Sequence, residues 1–254
     1  MGDVVRSLSV ILASYNEKDN LPYIVYLLID VLRSLDLKYE ILLVDDSSPD
    51  GTADVYAELQ ALFPSVNLKL LRRPGKLGLG SAYMDGLAHT SHDFILIMDA
   101  DLSHHPKYIR EMIKLQRTGN YDIVSGTRYA PGGGACGWSS TRVFVSKTAN
   151  FLAHFLLRPA LSDLTGSYRL YRRSLFEAVL KQVTSRGYIF QMEIAVRAEK
   201  QFNARVAEVP IIFIERLYGV SKLGKRRSAA LTAAAGVQEV FGYLYGLVRL
   251  YFSI

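Results

Sequence analysis

The sequence predicts an α/β protein, a parallel sheet covered by helices on both faces, and two observations carry that reading. Short apolar runs at Leu8 to Leu12, Tyr39 to Val44, Leu68 to Arg72 and Phe94 to Met98 alternate with stretches of helical length. Runs that stay apolar on consecutive positions are strands buried on both faces, as parallel strands are. The loops at their carboxyl ends gather acids: Glu17 after the first run, Asp45 and Asp46 after the second, Asp99 and Asp101 after the fourth. Ligands of open α/β sheets sit beyond those strand ends.

The 254 residues suffice for one sizeable core, and 50% hydrophobic with 21% charged residues is a globular balance. The single Cys136 excludes an internal disulfide and fits a reducing compartment. Val4 to Ala13 reads as a strand and not as a leader, so export is not expected. A net charge of +6 favours an anionic partner without choosing among nucleic acid, phospholipid headgroups and phosphorylated small molecules.

In order, Leu8 to Leu12 ends at Ala13-Ser14-Tyr15-Asn16-Glu17, a polar loop leading to a helix from about Asn20 to Leu35. The second strand stops at the loop Asp45 to Thr52, and a helix follows through about Phe63. The third strand is followed by Gly75 to Gly80 and a helix through His89; Gly78 to Ser81 would let that helix pack close to the sheet, with Ser81 as cap. Neither phosphate-loop pattern is present there. After the fourth strand come a helix at Pro106 to Gln116, a strand at Asp122 to Ser125, the glycine cluster Pro131 to Gly137 and a helix at Ser140 to Leu157. Asp163 to Tyr171 reads as a loop entering a short strand, Gln191 to Phe202 as a helix, and Val206 to Ile214 as a strand that Pro210 confines to an edge or bulge. Taken singly, Arg128, Arg142, Arg169 and Arg216 each read as surface charge.

Asp99 and Asp101 stand two apart at a strand exit, so both carboxylates can grip one hard cation and leave its remaining positions to substrate phosphate oxygens. An isolated Asp-x-Asp is more often a solvated turn. Here five acids converge on one sheet edge, and they would repel one another without a cation or basic group among them.

The segments SYNE (14–17), VDDSSPDGT (44–52), KLGLGSAY (76–83), MDADLSHHP (98–106), SGTRY (125–129), SDLTGSYRLYR (162–172), GYIFQMEI (187–194) and RLYGVSKLG (216–224) together resemble the dolichyl-phosphate mannosyltransferase family. The resemblance covers almost the whole chain, and it implies a GT-A fold, a Rossmann-like mixed sheet flanked by helices, in an inverting, metal-dependent enzyme. It implies transfer of mannose from GDP-mannose to dolichyl phosphate, yielding a mannose donor for N-glycosylation, O-mannosylation and GPI-anchor synthesis. Position by position, Ala13, Tyr15, Glu17, Val44 and Asp46 match the guanosine pocket; Asp99, Ala100 and Asp101 the diphosphate segment. Asp99, Asp101 and Ser103 fall at the metal positions for Mg²⁺ or Mn²⁺, with Ser103 standing where relatives carry Gln and reaching the ion through water. Arg128, Arg142 and Ser146 match the acceptor-phosphate positions, with Arg128 counted on the donor side as well. Arg216 and Lys222 match the donor-side loop that closes over the site. Asp101, Arg128, Arg142 and Ser146 are the residues expected to carry the reaction. The resemblance also implies the cytosolic face of the endoplasmic reticulum membrane, and small membrane-spanning subunits as partners.

A catalytic domain at 1–228 and an apolar tail at 229–254 are expected. Gln238, Glu239 and Arg249 argue against a plain crossing by the tail, while helical spacing of its apolar residues suits a helix lying on a membrane, docking onto a membrane partner or packing on its own domain. A glucosyltransferase using UDP-glucose shares these residue types. A processive polysaccharide synthase would show Q-x-x-R-W, but the only Trp, Trp138, lies outside such a motif. Acids at the ligand edge and the absence of any recognised motif argue against a nucleic-acid partner.

Overall fold

Two-residue periodicity divides the core of the computed structural model, which describes residues 4–185, 187, 189–216, 218 and 242–254. In chain order the first half comprises β1 (Ser7–Ser14), α1 (Leu21–Arg33), β2 (Lys38–Asp45), α2 (Thr52–Leu62), β3 (Leu68–Arg72), α3 (Leu79–Ala88), β4 (Phe94–Asp99) and α4 (Tyr108–Gly119). The second comprises β5 (Ile123–Thr127), β6 (Gly134–Cys136), α5 (Ser140–Leu157), β7 (Arg169–Arg172), α6 (Arg173–Leu180), α7 (Ile189–Phe202), β8 (Val206–Pro210) and β9 (Ile212–Ile214). Residues 242–251 form a further helical segment, α8. Leu8, Val10, Leu12, Ile41, Leu43, Phe94, Leu96 and Met98 point to one sheet face, against α1, α2 and α4. Their alternates Ile11, Leu42, Val44, Ile95 and Ile97 point to the other, against α3, α6 and α7.

Seven strands run in the order β3-β2-β1-β4-β7-β5-β8. The sheet is mixed, as the family resemblance implies, and this corrects the plain parallel reading: β7 lies antiparallel between β4 and β5. A four-residue strand carries no sign of its direction in sequence. The run from Val206 to Ile214 is two strands. β8 is an edge strand pairing with β5 as far as Thr127 opposite Pro210; beyond it the chain turns away, and β9 pairs with β6 inside the glycine cluster. Sequence reading passed over β6 and α6. Gly86, not Gly80, brings α3 against the sheet: a Cβ there would stand 3.0 Å from Ile11, whereas at Gly80 it would strike Phe190 of α7. Gly78, not Ser81, occupies the N-cap of α3.

At the amino-terminal edge Glu40 ties four segments together. It accepts from Ser9 Oγ at 2.6 Å, the Ser91 amide at 2.7 Å and Asn67 Nδ2 at 3.4 Å, and pairs with Lys69 at 2.6 Å. Burial alone would raise its pKa; the bonds from Lys69, Ser9 and Ser91 outweigh it and hold the carboxyl at about 2 against an ordinary 4.5. A depressed pKa stabilises the fold fully above pH 4.5, and that stabilisation is lost as the pH falls toward 2. Glu40→Gln is therefore expected to cost about 2 kcal/mol at neutral pH and to flatten this acid limb, measured by denaturant unfolding across pH.

α7 is sandwiched between the sheet and a third cluster, in which its Met192, Ala195 and Val196 meet Ala153 and Leu157 of α5 and Leu247 and Leu250 of α8. Arg197 Nη2 donates to Ser253 Oγ at 2.9 Å, and Tyr243 Oη to the Ala149 carbonyl at 3.1 Å. The described end of the tail thus packs on α5 and α7. Lys222 and the basic patch to Arg227, with tail residues up to 241, lie outside the described residues.

Candidate active site

Strand register assembles one side of the site. Ala13 of β1 stands between Val44 of β2 and Asp99 of β4, so three expected donor-side positions form one row across the sheet. The loops beyond this row are bent sharply. Among the described residues six non-glycine positions have positive φ; Asn120, Arg158 and Asn203 end helices, while Asn16 (59°), Ser47 (54°) and Leu102 (64°) lie just past β1, β2 and β4. Non-glycine backbone is strained there, and such strain gathers at functional loops. At Leu102 it turns the chain so that the Ser103 amide and hydroxyl donate back to Asp101 Oδ1, at 3.1 and 2.5 Å. Ser103 is thereby committed to orienting Asp101.

The basic groups that this acidic edge requires are present. Arg216, delivered by β9, lies 2.8 Å from Asp101 Oδ2 and 3.4 Å from Glu17 Oε1. Asn20 Nδ2 donates to Glu17 at 2.7 Å and to the Tyr218 carbonyl at 3.4 Å, and Tyr218 stacks on Tyr23 at 6.0 Å. Arg73, which sequence reading missed, is buried beneath the second loop, donating to Asp46 at 2.6 Å, Asp85 at 3.0 Å and Ser81 at 2.8 Å. Its only sequence signal is a second arginine at a strand exit before Pro74-Gly75. Asp45 is buried and turned inward, accepting from the Ser48 amide and hydroxyl at 3.1 and 2.5 Å. Lys76 Nζ sits 3.3 Å over the Tyr15 ring. Ala100 is buried between the two acids of its segment.

Behind Asp99, His104 is buried, stacked on Tyr168 at 5.1 Å with Phe213 edge-on at 5.3 Å. Its Nδ1 accepts the Asp99 amide at 3.3 Å. Burial outweighs the nearby acids and lowers its pKa, so the ring is neutral and anchors Asp99 without adding charge.

Of the expected acceptor residues only Arg128 lines a second space, a cavity of about 490 Å³ whose walls also include Tyr129, Trp138, Lys147, Asn150 and Ser162; Arg142 and Ser146 touch wall residues from outside it. Arg128 is buried, not superficial, and its fork is held by Asp163: Nε and Nη2 each lie 2.7 Å from a carboxylate oxygen. Burial would raise the Asp163 pKa, but the Arg128 bonds outweigh it and keep the group ionised. Arg142 lies 4.1 Å from the Trp138 ring centre and 3.1 Å from Glu215 Oε1; Arg128 lies 5.0 Å from the same ring. Ser146 shares a 2.6 Å hydrogen bond with Tyr129 Oη. Arg169, also read as surface charge, is wholly buried and donates to Ser125 Oγ, the Gln191 carbonyl and the Asp163 carbonyl. Consecutive residues tie the two halves together: Glu215 holds Arg142 beside the cavity, and Arg216 holds Asp101 and Glu17 at the acidic edge.

A family model described as "Glycosyl transferase family 2" matches residues 9–180. Polyprenol monophosphomannose synthase of Mycolicibacterium smegmatis is 38% identical over 247 residues, covering 94% of this chain and 91% of that protein. Undecaprenyl-phosphate mannosyltransferase of Micrococcus luteus is 36% identical over 217 residues, 84% of this chain and 86% of that one. Glucosyl-3-phosphoglycerate synthase from Mycobacterium tuberculosis, solved in complex with phosphoglyceric acid, has a TM-score of 0.66 at 18% identity, over 96% of this chain and 80% of that chain. Its complex with Mn²⁺, uridine diphosphate and glucosyl-3-phosphoglycerate gives 0.63 at 19%, over 95% and 80%. At such identities the likeness concerns the fold, a mixed sheet flanked by helices of the GT-A kind. With the family model covering well over half of its length and two relatives above 30% identity over most of it, the chain belongs to glycosyl transferase family 2.

Proposed function

We propose that this protein transfers mannose from GDP-mannose to a polyprenyl phosphate, with inversion at the anomeric carbon. One observation carries the choice of acceptor: the described cavity wall presents Arg128 and Lys147 and no carboxylate. An alcohol acceptor would need a general base within reach of its proton. A phosphomonoester, with a second pKa near ~6, is already largely anionic at neutral pH and needs positive charge instead. The names of the two relatives point to the same acceptor class. An acceptor phosphate oxygen bonds to mannose C1 as the C1–O bond to the diphosphate breaks, and GDP leaves with that electron pair.

Asp99 and Asp101 are the residues that would hold a divalent cation. The fit rests on Asp101, an oriented hard-oxygen donor that already attracts a guanidinium, and on Asp99, whose side chain is one-third exposed. Among the described residues no cluster of three or more acids, histidines or cysteines offers another site. Bound Mg²⁺ or Mn²⁺ would neutralise charge developing on the departing diphosphate. Ala13, Tyr15, Glu17, Val44 and Asp46 would receive the guanosine. The acceptor is dolichyl phosphate or its undecaprenyl counterpart, met at the cytosolic face of a membrane, that of the endoplasmic reticulum where the lipid is dolichol.

The test is purified protein with labelled GDP-mannose or UDP-glucose, a short polyprenyl phosphate and a panel of divalent ions, with label counted in the organic phase. Mannose label there, abolished by EDTA, is expected; label from UDP-glucose alone would overturn the donor. Arg142→Lys keeps the charge but loses the planar fork, and is expected to raise the acceptor KM about tenfold while calorimetry shows unchanged GDP-mannose affinity.

A further inference from the structure

Three loops meet at the donor-side corner of the sheet, beyond β1, β2 and β3. The Asp46 amide donates to the Ser14 carbonyl at 3.2 Å, and the Arg73 amide to the Asp45 carbonyl at 2.8 Å. Buried Arg73 holds Asp46 through Nε at 2.6 Å and the Gly78 carbonyl through Nη2 at 3.3 Å, so the segment 74–78 is looped over the same corner. From that loop Lys76 reaches back to the exit of β1, where its Nζ lies 3.3 Å over the Tyr15 ring. The corner therefore brings together an aromatic face, a carboxylate fixed by an arginine, and an ammonium on a long stem.

An ammonium resting on a solvated tyrosine gains little, whereas a nucleobase stacked on the same ring gains more, so an arriving base displaces it. The four-carbon stem lets Nζ move from the face of the tyrosine to the edge of the base that replaces it there. Guanine carries N2–H, N1–H, O6 and N7 in that order along its edge, two donors followed by two acceptors. A carboxylate takes the donors, and an ammonium beside it takes the acceptors. Uracil has one N–H between two carbonyl oxygens, which turns an oxygen toward the carboxylate and offers no acceptor beyond O4. Adenine has an acceptor at N1 where guanine has a donor.

We infer that Lys76 is a specificity-determining residue for the donor's base, donating to O6 and N7 of guanine while Asp46, held by Arg73, accepts from N1–H and N2–H. The inference rests on the GDP-mannose reading and adds to it the atoms by which guanine is told from uracil and adenine.

The experiment is titration calorimetry of GDP, 7-deaza-GDP and UDP into the full chain in the presence of Mn²⁺, for the wild type, Lys76→Met and Lys76→Arg. In 7-deaza-GDP a C–H replaces N7 and the rest of the base is unchanged. Lys76 is exposed, so both variants are expected to keep the wild-type unfolding midpoint. The wild type is expected to bind GDP about tenfold more tightly than 7-deaza-GDP, and Lys76→Met to bind the two alike, no more tightly than the wild type binds 7-deaza-GDP. Lys76→Arg is expected to restore the preference, since a guanidinium also pairs with O6 and N7. A lysine that merely supported the loop would weaken both nucleotides equally and leave their ratio unchanged. A GDP preference kept by Lys76→Met, or a wild type indifferent to N7, would overturn the inference while leaving the GDP-mannose reading in place as long as GDP binds more tightly than UDP. Tighter binding of UDP than of GDP by the wild type would overturn both. GDP binding that depends on Lys76 and N7, without mannosyl transfer to a polyprenyl phosphate, would keep the role of Lys76 and remove the proposed acceptor.

Discussion

Asp101→Asn is expected to reduce mannosyl transfer on the order of 10²–10³-fold while shifting the unfolding midpoint by only a few degrees. The substitution keeps Oδ1 as acceptor for the Ser103 amide and hydroxyl, so the turn at Leu102 has the same internal bonds. It removes the negative charge that attracts the Arg216 guanidinium at 2.8 Å and replaces it with an amide donor facing donors. A hard cation is held more tightly by an anionic carboxylate than by a neutral amide oxygen, so Mn²⁺ affinity in the presence of GDP is expected to fall in step with turnover. Titration calorimetry and rate assays at limiting Mn²⁺ read the two effects separately. Wild-type turnover at limiting Mn²⁺ would mean that the cation is held elsewhere.

The largest effect on stability is expected from Asp163→Asn. This carboxylate is fully buried and receives Arg128 Nε and Nη2, the Arg128 amide at 3.2 Å and the Gly166 amide at 3.1 Å. Arg169, wholly buried, donates to its main-chain carbonyl. The carboxylate thus pairs with Arg128 and lies in the field of Arg169, and neutralising it strips Arg128 of its ion-pair partner while Arg169 keeps its hydrogen bonds. A buried charge stripped of its partner costs about 3–5 kcal/mol, a large part of the total stability of an ordinary domain. Urea unfolding at pH 7 measures it. A loss below about 1 kcal/mol would show that the pair is solvated and that Arg128 is free to turn into the cavity.

The central strands and the acidic edge were legible because buried parallel strands write themselves as unbroken apolar runs, and the polar residues that end them mark the sheet's carboxyl rim. The family resemblance, not residue spacing, set Ala13, Val44 and Asp99 together as donor-side positions, and the register shows that they are neighbours across the sheet. What escaped depends on partners far apart in the chain. Arg73 reads as one of two arginines after a strand, and only the fold shows it buried among Asp46, Asp85 and Ser81. Arg128 and Arg169 were readable as charges but not as buried ones, because their shelter comes from Asp163, Ser125 and Gln191 on other segments. The direction of β7 is decided by its neighbours β4 and β5, and four residues contain no record of it. The helix at Ser140 to Leu157 was found within its true bounds, yet apolar residues fall on both of its sides and did not say which one faces water. Packing of α7 and α8 against Ala153 and Leu157 decides that and turns the phenylalanines outward.

Direct in-line attack by the acceptor's own phosphate oxygen is tested most directly by the anomeric configuration of the product. GDP-mannose labelled with carbon-13 at C1 is incubated with purified protein, Mn²⁺ and a short polyprenyl phosphate, and the organic-phase product is examined by its one-bond carbon–hydrogen coupling at C1. A β-linked mannosyl phosphate on the lipid is expected from a single in-line displacement at the α-linked donor. An α-linked product, or label remaining in the aqueous phase as free mannose, would contradict it.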